Sequence, residues 1–234
     1  MEHDREESDR IMSSSYHPPL SSAVQEIPSD RAGVTNGLFL RFPVLHTVGD
    51  LSLLDRPGVA IVGARKATRE GVRRAEQLAR DLARAGIVVV SGLAAGIDRA
   101  AHQSAIQNGG RTIAVVGTPL DKVYPKEHAE LQELIYRDHL LVSQFRWGDP
   151  FVPANFPERN RVMARLARAT VIVEASDTSG SLHQAAESVL VGHPVFIAES
   201  VAKNPALKWP SRFIGKPYGF VLSSSADVID AVRR

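Results

Sequence analysis

Five short stretches hold most of the residues able to recognise an anion or an aromatic base. In Gly63-Ala64-Arg65 a glycine permits a sharp turn, and the arginine beyond it can grip a phosphate with two parallel N–H donors. Ser91-Gly92-Leu93-Ala94-Ala95-Gly96-Ile97-Asp98 offers small residues and two glycines where an anionic group could approach free backbone N–H groups. A third stretch starts at Gly117, passes Tyr124-Pro125 and ends in the cation Lys126. In Asn155-Phe156-Pro157-Glu158-Arg159-Asn160-Arg161 an aromatic and an amide stand beside two arginines just ahead of a helix, a combination suited to stacking a base while holding its phosphate. The fifth, Glu174-Ala175-Ser176-Asp177-Thr178-Ser179-Gly180-Ser181, brings hydroxyls and backbone N–H groups to a helix entrance.

Each stretch also has a plainer reading. Arg65 can be an exposed loop arginine, Arg159 and Arg161 solvated residues continued by Arg165 and Arg168, and Ser179 and Ser181 helix caps. Ser91, Asp98 and His102 are the side-chain types of a hydrolytic triad, with Asp98 and His102 four apart on one helix face. No GxSxG elbow supports that chemistry, so Asp98 is read as a helix-terminal charge and His102 as a hydrogen-bonding residue. No catalytic residue, metal ligand or cofactor is assigned. Neither GxGxxG nor GxxxxGK[ST] occurs, which disfavours a dinucleotide fingerprint and ATP hydrolysis.

The elements that must position these stretches follow from the apolar periodicity. Short apolar runs at 59–62, 87–90, 112–116, 140–142, 170–173, 194–197 and 220–222 predict strands. Between them, helices are expected over 97–107, 126–137, 159–168 and 182–191, and one carrying Val72, Ala75, Leu78, Ala79, Leu82 and Ala83 on a single face. Near-continuous apolar strands alternating with amphipathic helices imply a parallel sheet covered on both faces. The predicted fold is therefore a doubly wound, mostly parallel, Rossmann-like α/β sheet. In such sheets ligands lie beyond the carboxyl ends of the strands, where the five stretches fall.

A chain of 234 residues with 44% hydrophobic content can build one principal domain, expected over 58–234. Residues 1–35, rich in Ser, Pro and charge, read as a mostly disordered leader, and 36–57 as a short lead-in packed on the main domain. Net charge is only +2, so a basic site has to be local. The absence of cysteine excludes disulfides and thiolate chemistry. MEHDREESDR is charged where a secretory signal is apolar, and no apolar run approaches the roughly 18 residues of a membrane span, so a soluble cytoplasmic protein is expected.

With these residues aligned, about 59–197 resembles the core of the DprA/Smf family of DNA-processing proteins. The matching blocks are Ala60-Ile-Val-Gly-Ala-Arg65, Val90-Ser-Gly-Leu-Ala-Ala-Gly-Ile-Asp98 with Ala101-His102, Gly110-Arg-Thr-Ile-Ala-Val-Val-Gly117, Leu120-Asp-Lys-Val-Tyr-Pro125, Phe156-Pro-Glu-Arg-Asn-Arg161, and Val173-Glu-Ala175 with Ser179-Gly-Ser-Leu182. The resemblance implies a single-stranded DNA-binding protein rather than an enzyme, one that protects the strand and loads a RecA-type recombinase in DNA uptake, natural transformation or recombination. It implies that Arg65 holds phosphate, Lys126 and Arg159 line the groove, Arg161 completes it and Phe156 meets a base. Asn160, Ser91, Gly92, Gly117, Ser179 and Gly180 would shape the pocket or donate to phosphate oxygens. A homodimer is expected, because two pockets sharing one strand gain through effective concentration.

The chain departs from the family pattern at Ala64 (usually Ser), Gln144 (Glu), Gln184 (Thr) and Ala198-Glu199-Ser200 (a Pro-Gly turn). Its tail is too short for the usual C-terminal winged-helix-like domain and its leader for an N-terminal helical domain, so a near-minimal core is expected. The alternatives are a nucleotide-binding sensor or hydrolase with a related pocket, and a protein-interaction module that has lost DNA binding. The phosphoribohydrolase signature PGGxGTxxE is missing, which argues against nucleotide cleavage.

Overall fold

In the computed structural model, which describes residues 16–30 and 43–233, the apolar runs pair into one nine-stranded sheet. In chain order the elements are β1 (Gln25–Pro28), β2 (Val44–Gly49), β3 (Gly58–Gly63), α1 (Arg69–Arg84), β4 (Val88–Ser91), α2 (Ile97–Gln107), β5 (Thr112–Val116) and α3 (Ala129–Asp138). They continue with β6 (Leu140–Ser143), α4 (Asn155–Leu166), β7 (Ala169–Glu174), α5 (Ser181–Leu190), β8 (Val195–Ala198), α6 (Glu199–Ala202), β9 (Gly219–Leu222) and α7 (Ser225–Arg233). The sheet order is β1-β2-β6-β5-β4-β3-β7-β8-β9, with β1 and β2 antiparallel and every pair from β6 to β9 parallel. The chain winds outward from β3 to β6, then returns to β7 on the other side of β3. That reversal makes the β3/β7 junction the switch point, where a crevice opens at the strand ends.

Strand β3 shows why both faces are covered. Val59 and Ile61 pack with Ala75, Leu78 and Leu82 of α1, while Ala60 and Val62 pack with Val162 and Met163 of α4 on the other side. Each alternating pair is buried, so the strand carries no polar face. Helix α1 begins at Thr68, whose hydroxyl accepts the Gly71 N–H at 3.0 Å and donates to the Glu174 carboxylate at 2.6 Å. This ties the start of α1 to the end of β7 across the switch point.

The expected doubly wound, mostly parallel α/β fold is the one observed. Several boundaries differ for local reasons. The segment 126–137 splits into a 3-10 turn over Lys126–His128 followed by α3. Helix α4 starts at Asn155, earlier than expected, because Pro157 stands in its first turn, where a missing N–H is no loss. It also ends earlier: Ala167 is extended and the Arg168 N–H donates to the Gly58 carbonyl at 2.8 Å, leading into β7.

Within 1–35, expected to be mostly disordered, residues 25–28 instead form edge strand β1, and the Tyr16 hydroxyl donates to the Leu120 carbonyl at 2.8 Å. Residues 1–15 and 31–35 of that segment lie outside the described residues. The lead-in 36–57 supplies β2, hydrogen-bonded to β6, and a 3-10 turn over Leu51–Asp55; its residues 36–42 also lie outside. Helix α7 was not expected. It buries only Val228 and Val232, and Asp227 caps it by accepting the N–H groups of Ser223 and Ser224 at 2.9 and 2.8 Å.

Candidate nucleic-acid interface

The first two turns of α4 lie across the carboxyl ends of the strands. Arg159 points down onto them and is almost fully buried, its Nη1 donating to the carbonyl of Val115 at 2.6 Å and to that of Gly92. Successive helical residues rotate by about 100°, so Arg161 faces about 200° away from Arg159. There it meets Glu158 at 3.0 Å and Glu187 of α5 at 3.1 Å, and Arg165 joins Glu187 at 3.3 Å. Arg161 therefore does not complete the groove: it belongs to the ion network that clamps α4 to α5.

Phe156 stands one turn before Asn160, and its ring lies so close to Gly117 that a methyl group there would touch it. The Arg65 guanidinium carbon is 5.0 Å from the ring centroid and that of Arg159 is 5.9 Å, so two cations share one aromatic ring. Arg65 is exposed and, among the described residues, has no carboxylate within ion-pair distance. A cavity of about 290 Å³ opens between β3, α4 and the start of α5. Arg65, Asp98, Phe156, Arg159, Asn160, Ser179 and Gly180 all line it. The Asn160 amide donates to the Gly180 carbonyl at 3.3 Å, and the Ser179 and Ser181 hydroxyls lie 2.7 Å apart. Arg65 also borders a second crevice with Lys66, Thr68, Arg74, Glu174 and Ser176.

The Ser91–Gly96 loop is not an open phosphate cradle. Its Gly92 and Ala94 N–H groups are already held by the Asp98 carboxylate at 3.1 and 3.4 Å, and the Ser91 hydroxyl donates to the Ile61 carbonyl at 2.6 Å. Gly92 matters for another reason: the Arg159 guanidinium occupies the space where a side chain would begin. Burial pushes the Asp98 carboxyl up to about 6, against the pull of Arg159, the two N–H groups and Arg65. Burial likewise lowers the Arg159 guanidinium to about 10, still charged at neutral pH, with Asp98 opposing the shift.

His102 is fully buried with Nδ1 2.7 Å from the Thr112 hydroxyl, a strand residue, and burial pushes its pKa down to about 3. Ser91, Asp98 and His102 thus hydrogen-bond to separate partners and form no triad. Lys126 is exposed in its 3-10 turn, outside the cavity, two residues beyond Tyr124, whose ring lies against Phe156. Sequence reasoning missed His183 and Met163, which also line the cavity. It also missed Phe151, whose ring adjoins Phe156. An aromatic flanked by Pro150 and Pro153 just ahead of α4 was the available signal. Among the described residues no cluster of His, Asp and Glu could hold a metal ion, and no helix is long and apolar enough to cross a membrane.

Residues 39–232 match the family model described as DNA recombination-mediator protein A. The chain belongs to that family. DNA processing protein DprA of Streptococcus pneumoniae is 45% identical over 153 residues, which is 65% of this chain and 54% of the relative. Protein Smf of Escherichia coli is 33% identical over 202 residues, covering 86% of this chain and 50% of the relative. The chain thus spans about half the length of these two curated relatives. The X-ray structure of the S. pneumoniae DNA processing protein A superposes with a TM-score of 0.76 at 33% identity, over 97% of this chain and 77% of that one. A Helicobacter pylori DNA processing protein A, solved to describe its single-stranded DNA binding mode, gives 0.76 at 27% identity over 90% and 94%. The molybdenum cofactor binding protein of Rippkaea orientalis, at 18% identity and 0.52 over 76% and 96%, shares the fold alone. The DprA/Smf resemblance read from the sequence blocks therefore holds.

Proposed function

We propose that this chain binds single-stranded DNA, without catalysis, in the cavity between β3, α4 and α5. The observation that carries the reading is the sharing of Phe156 by two arginines from separate segments, one exposed and one buried, beside the switch point. Arg65 takes a phosphate, Phe156 stacks a base, and Asn160 with the Ser179–Gly180 turn supplies hydrogen bonds to the strand. Arg159 holds the strand ends in place and adds positive potential from below. Ser91, Gly92 and Gly117 shape the floor, and Lys126 draws the backbone in from the rim. The family description and the H. pylori relative support this assignment.

Single strands are favoured because a base must leave its stack to enter so small a cavity. Cations that displace counterions make binding salt-dependent, while stacking keeps sequence preference slight. We infer further that the protein works in the cytoplasm as a homodimer, handing the coated strand to a RecA-type recombinase, with no cofactor. The binding reading is tested by titrating labelled oligonucleotide, duplex and mononucleotides at two salt concentrations. Preferential, salt-sensitive binding of the single strand is expected; tight mononucleotide binding with weak, salt-insensitive oligonucleotide binding would establish a small-ligand pocket instead. Recombinase assembly on strands already coated with the protein tests the hand-over.

A further inference from the structure

At Phe156, which lines the cavity, two further aromatic rings from outside it meet. Tyr124 follows β5, Phe151 follows β6 and Phe156 lies in α4. Their centroids are 5.2 Å apart for Tyr124 and Phe151, 5.5 Å for Tyr124 and Phe156, and 5.6 Å for Phe151 and Phe156. Tyr124 remains 42% exposed and Phe151 36%, in a surface where Trp147 and Val152 are also open to solvent. Loop packing alone does not require large rings left half in water, whereas an exposed apolar patch beside a binding cavity is a recognition surface.

We propose that Tyr124 and Phe151 form a second stacking subsite, which takes an unpaired nucleobase next to the one held at Phe156. The proposal rests on the single-stranded DNA reading and extends it from one base to a path. Its occupant follows from the surroundings: Arg65 lies 5.0 Å from the Phe156 ring, Lys126 is exposed two residues after Tyr124 and Arg146 is exposed on the segment that carries Phe151, and cations on the same segments as the rings suit a phosphate backbone whose bases stack. Phe156 joins the two halves, with Arg65 at 5.0 Å and Phe151 edge-on at 78°. The loop carrying Phe151 is held ready. Asp121 accepts the Gly148 N–H at 3.2 Å, the Asp149 carboxylate accepts the Arg146 N–H at 2.8 Å, and Lys122 donates to the Asp149 carbonyl at 2.5 Å. A surface organised before binding loses little entropy on contact.

The test compares wild type, Phe151→Leu, Tyr124→Leu and Phe151→Tyr against thymidylates from one to roughly eight nucleotides, and against an eight-nucleotide strand carrying abasic sites. Both leucine variants should bind the longer strands about tenfold more weakly, with the salt dependence unchanged because no phosphate contact is lost. Binding of a single thymidine nucleotide, whose one base goes to Phe156, should not change, Phe151→Tyr should bind as wild type, and the abasic strand should not discriminate among the proteins. Thermal unfolding of each variant separates a lost ring from a lost fold, and the Phe151→Tyr rescue decides the case if leucine destabilises the loop. A folded leucine variant that matches wild type at every length overturns the subsite and leaves the cavity reading intact. Failure of wild type to bind any strand overturns both.

Discussion

Replacing Asp98 by asparagine removes the one carboxyl that lines the cavity among the described residues, and its effect on stability can be worked out with sign. In the folded protein this group titrates near 6, against 3.8 in an unfolded chain, because burial disfavours its charge more than Arg159 and the two N–H groups favour it. Between pH 4 and 6 the folded state therefore holds one proton that the unfolded state lacks, so lowering the pH through this window stabilises the fold. The gain is about 1.4 kcal/mol per pH unit, roughly 3 kcal/mol over the window, and is complete below the unfolded value. Asparagine keeps an acceptor oxygen for Gly92 and Ala94 but cannot ionise. In both proteins His102, lowered to about 3, works the other way: neutral when folded, it makes acidification below about 6.5 destabilising. His128 and His139, also lowered by burial, add to that trend. Wild type should thus lose stability less steeply from pH 6 to 4 than Asp98→Asn. Urea unfolding followed by circular dichroism at intervals from pH 4 to 8 measures both. Parallel curves, with a pH-independent difference, would refute the reasoning, because they would mean that Asp98 stays ionised in the folded protein throughout.

The arginines give a second contrast: Arg65→Ala should weaken single-strand binding and flatten the plot of log affinity against log salt by about 0.7, whereas Arg161→Ala, which loses only contacts to Glu158 and Glu187, should keep the wild-type slope in the same anisotropy titration. Arg159→Leu strips the Gly92 and Val115 carbonyls of a charged donor and leaves Asp98 without its nearby cation, so unfolding free energy measured in urea should fall by about 3 kcal/mol. The glycines divide by their surroundings. Gly92→Ala drives a methyl into the Arg159 guanidinium and should reduce both melting temperature and binding, while Gly180→Ala, with φ −61° and open space around it, should stay within about 0.5 kcal/mol of wild type in urea unfolding.

The two kinds of cation at this site explain why a net charge of +2 is compatible with the anion-binding surface proposed above. Arg159 is buried and spends its donors on the sheet, so it contributes field and architecture. Arg65, which lines the cavity, and Lys126, outside it, are exposed, where a flexible backbone can reach them. Arg161 and Arg165 are neutralised by Glu158 and Glu187 and add little to the local potential.

Strands β3 to β9, the helices between them other than α6, and the placing of the candidate recognition stretches after the strands were legible in the chain alone. The reason is local: a strand buried on both faces must be apolar throughout, as at Val59-Ala60-Ile61-Val62, and a crossover helix must carry a stripe such as Ala75, Leu78, Ala79 and Leu82. Edge strand β1 was not legible, because one buried residue, Ile27, leaves no pattern to read. Which donors remain available was likewise a matter of the tertiary structure. Asp98 closes the Gly92–Ala94 loop from inside, α4 turns Arg161 away from Arg159, and Tyr124 of the loop after β5 meets Phe156 of α4 across 32 residues of chain. Sequence spacing states which residues share an element; hydrogen-bond partners and side-chain direction depend on what another element places opposite, and only folding supplies that.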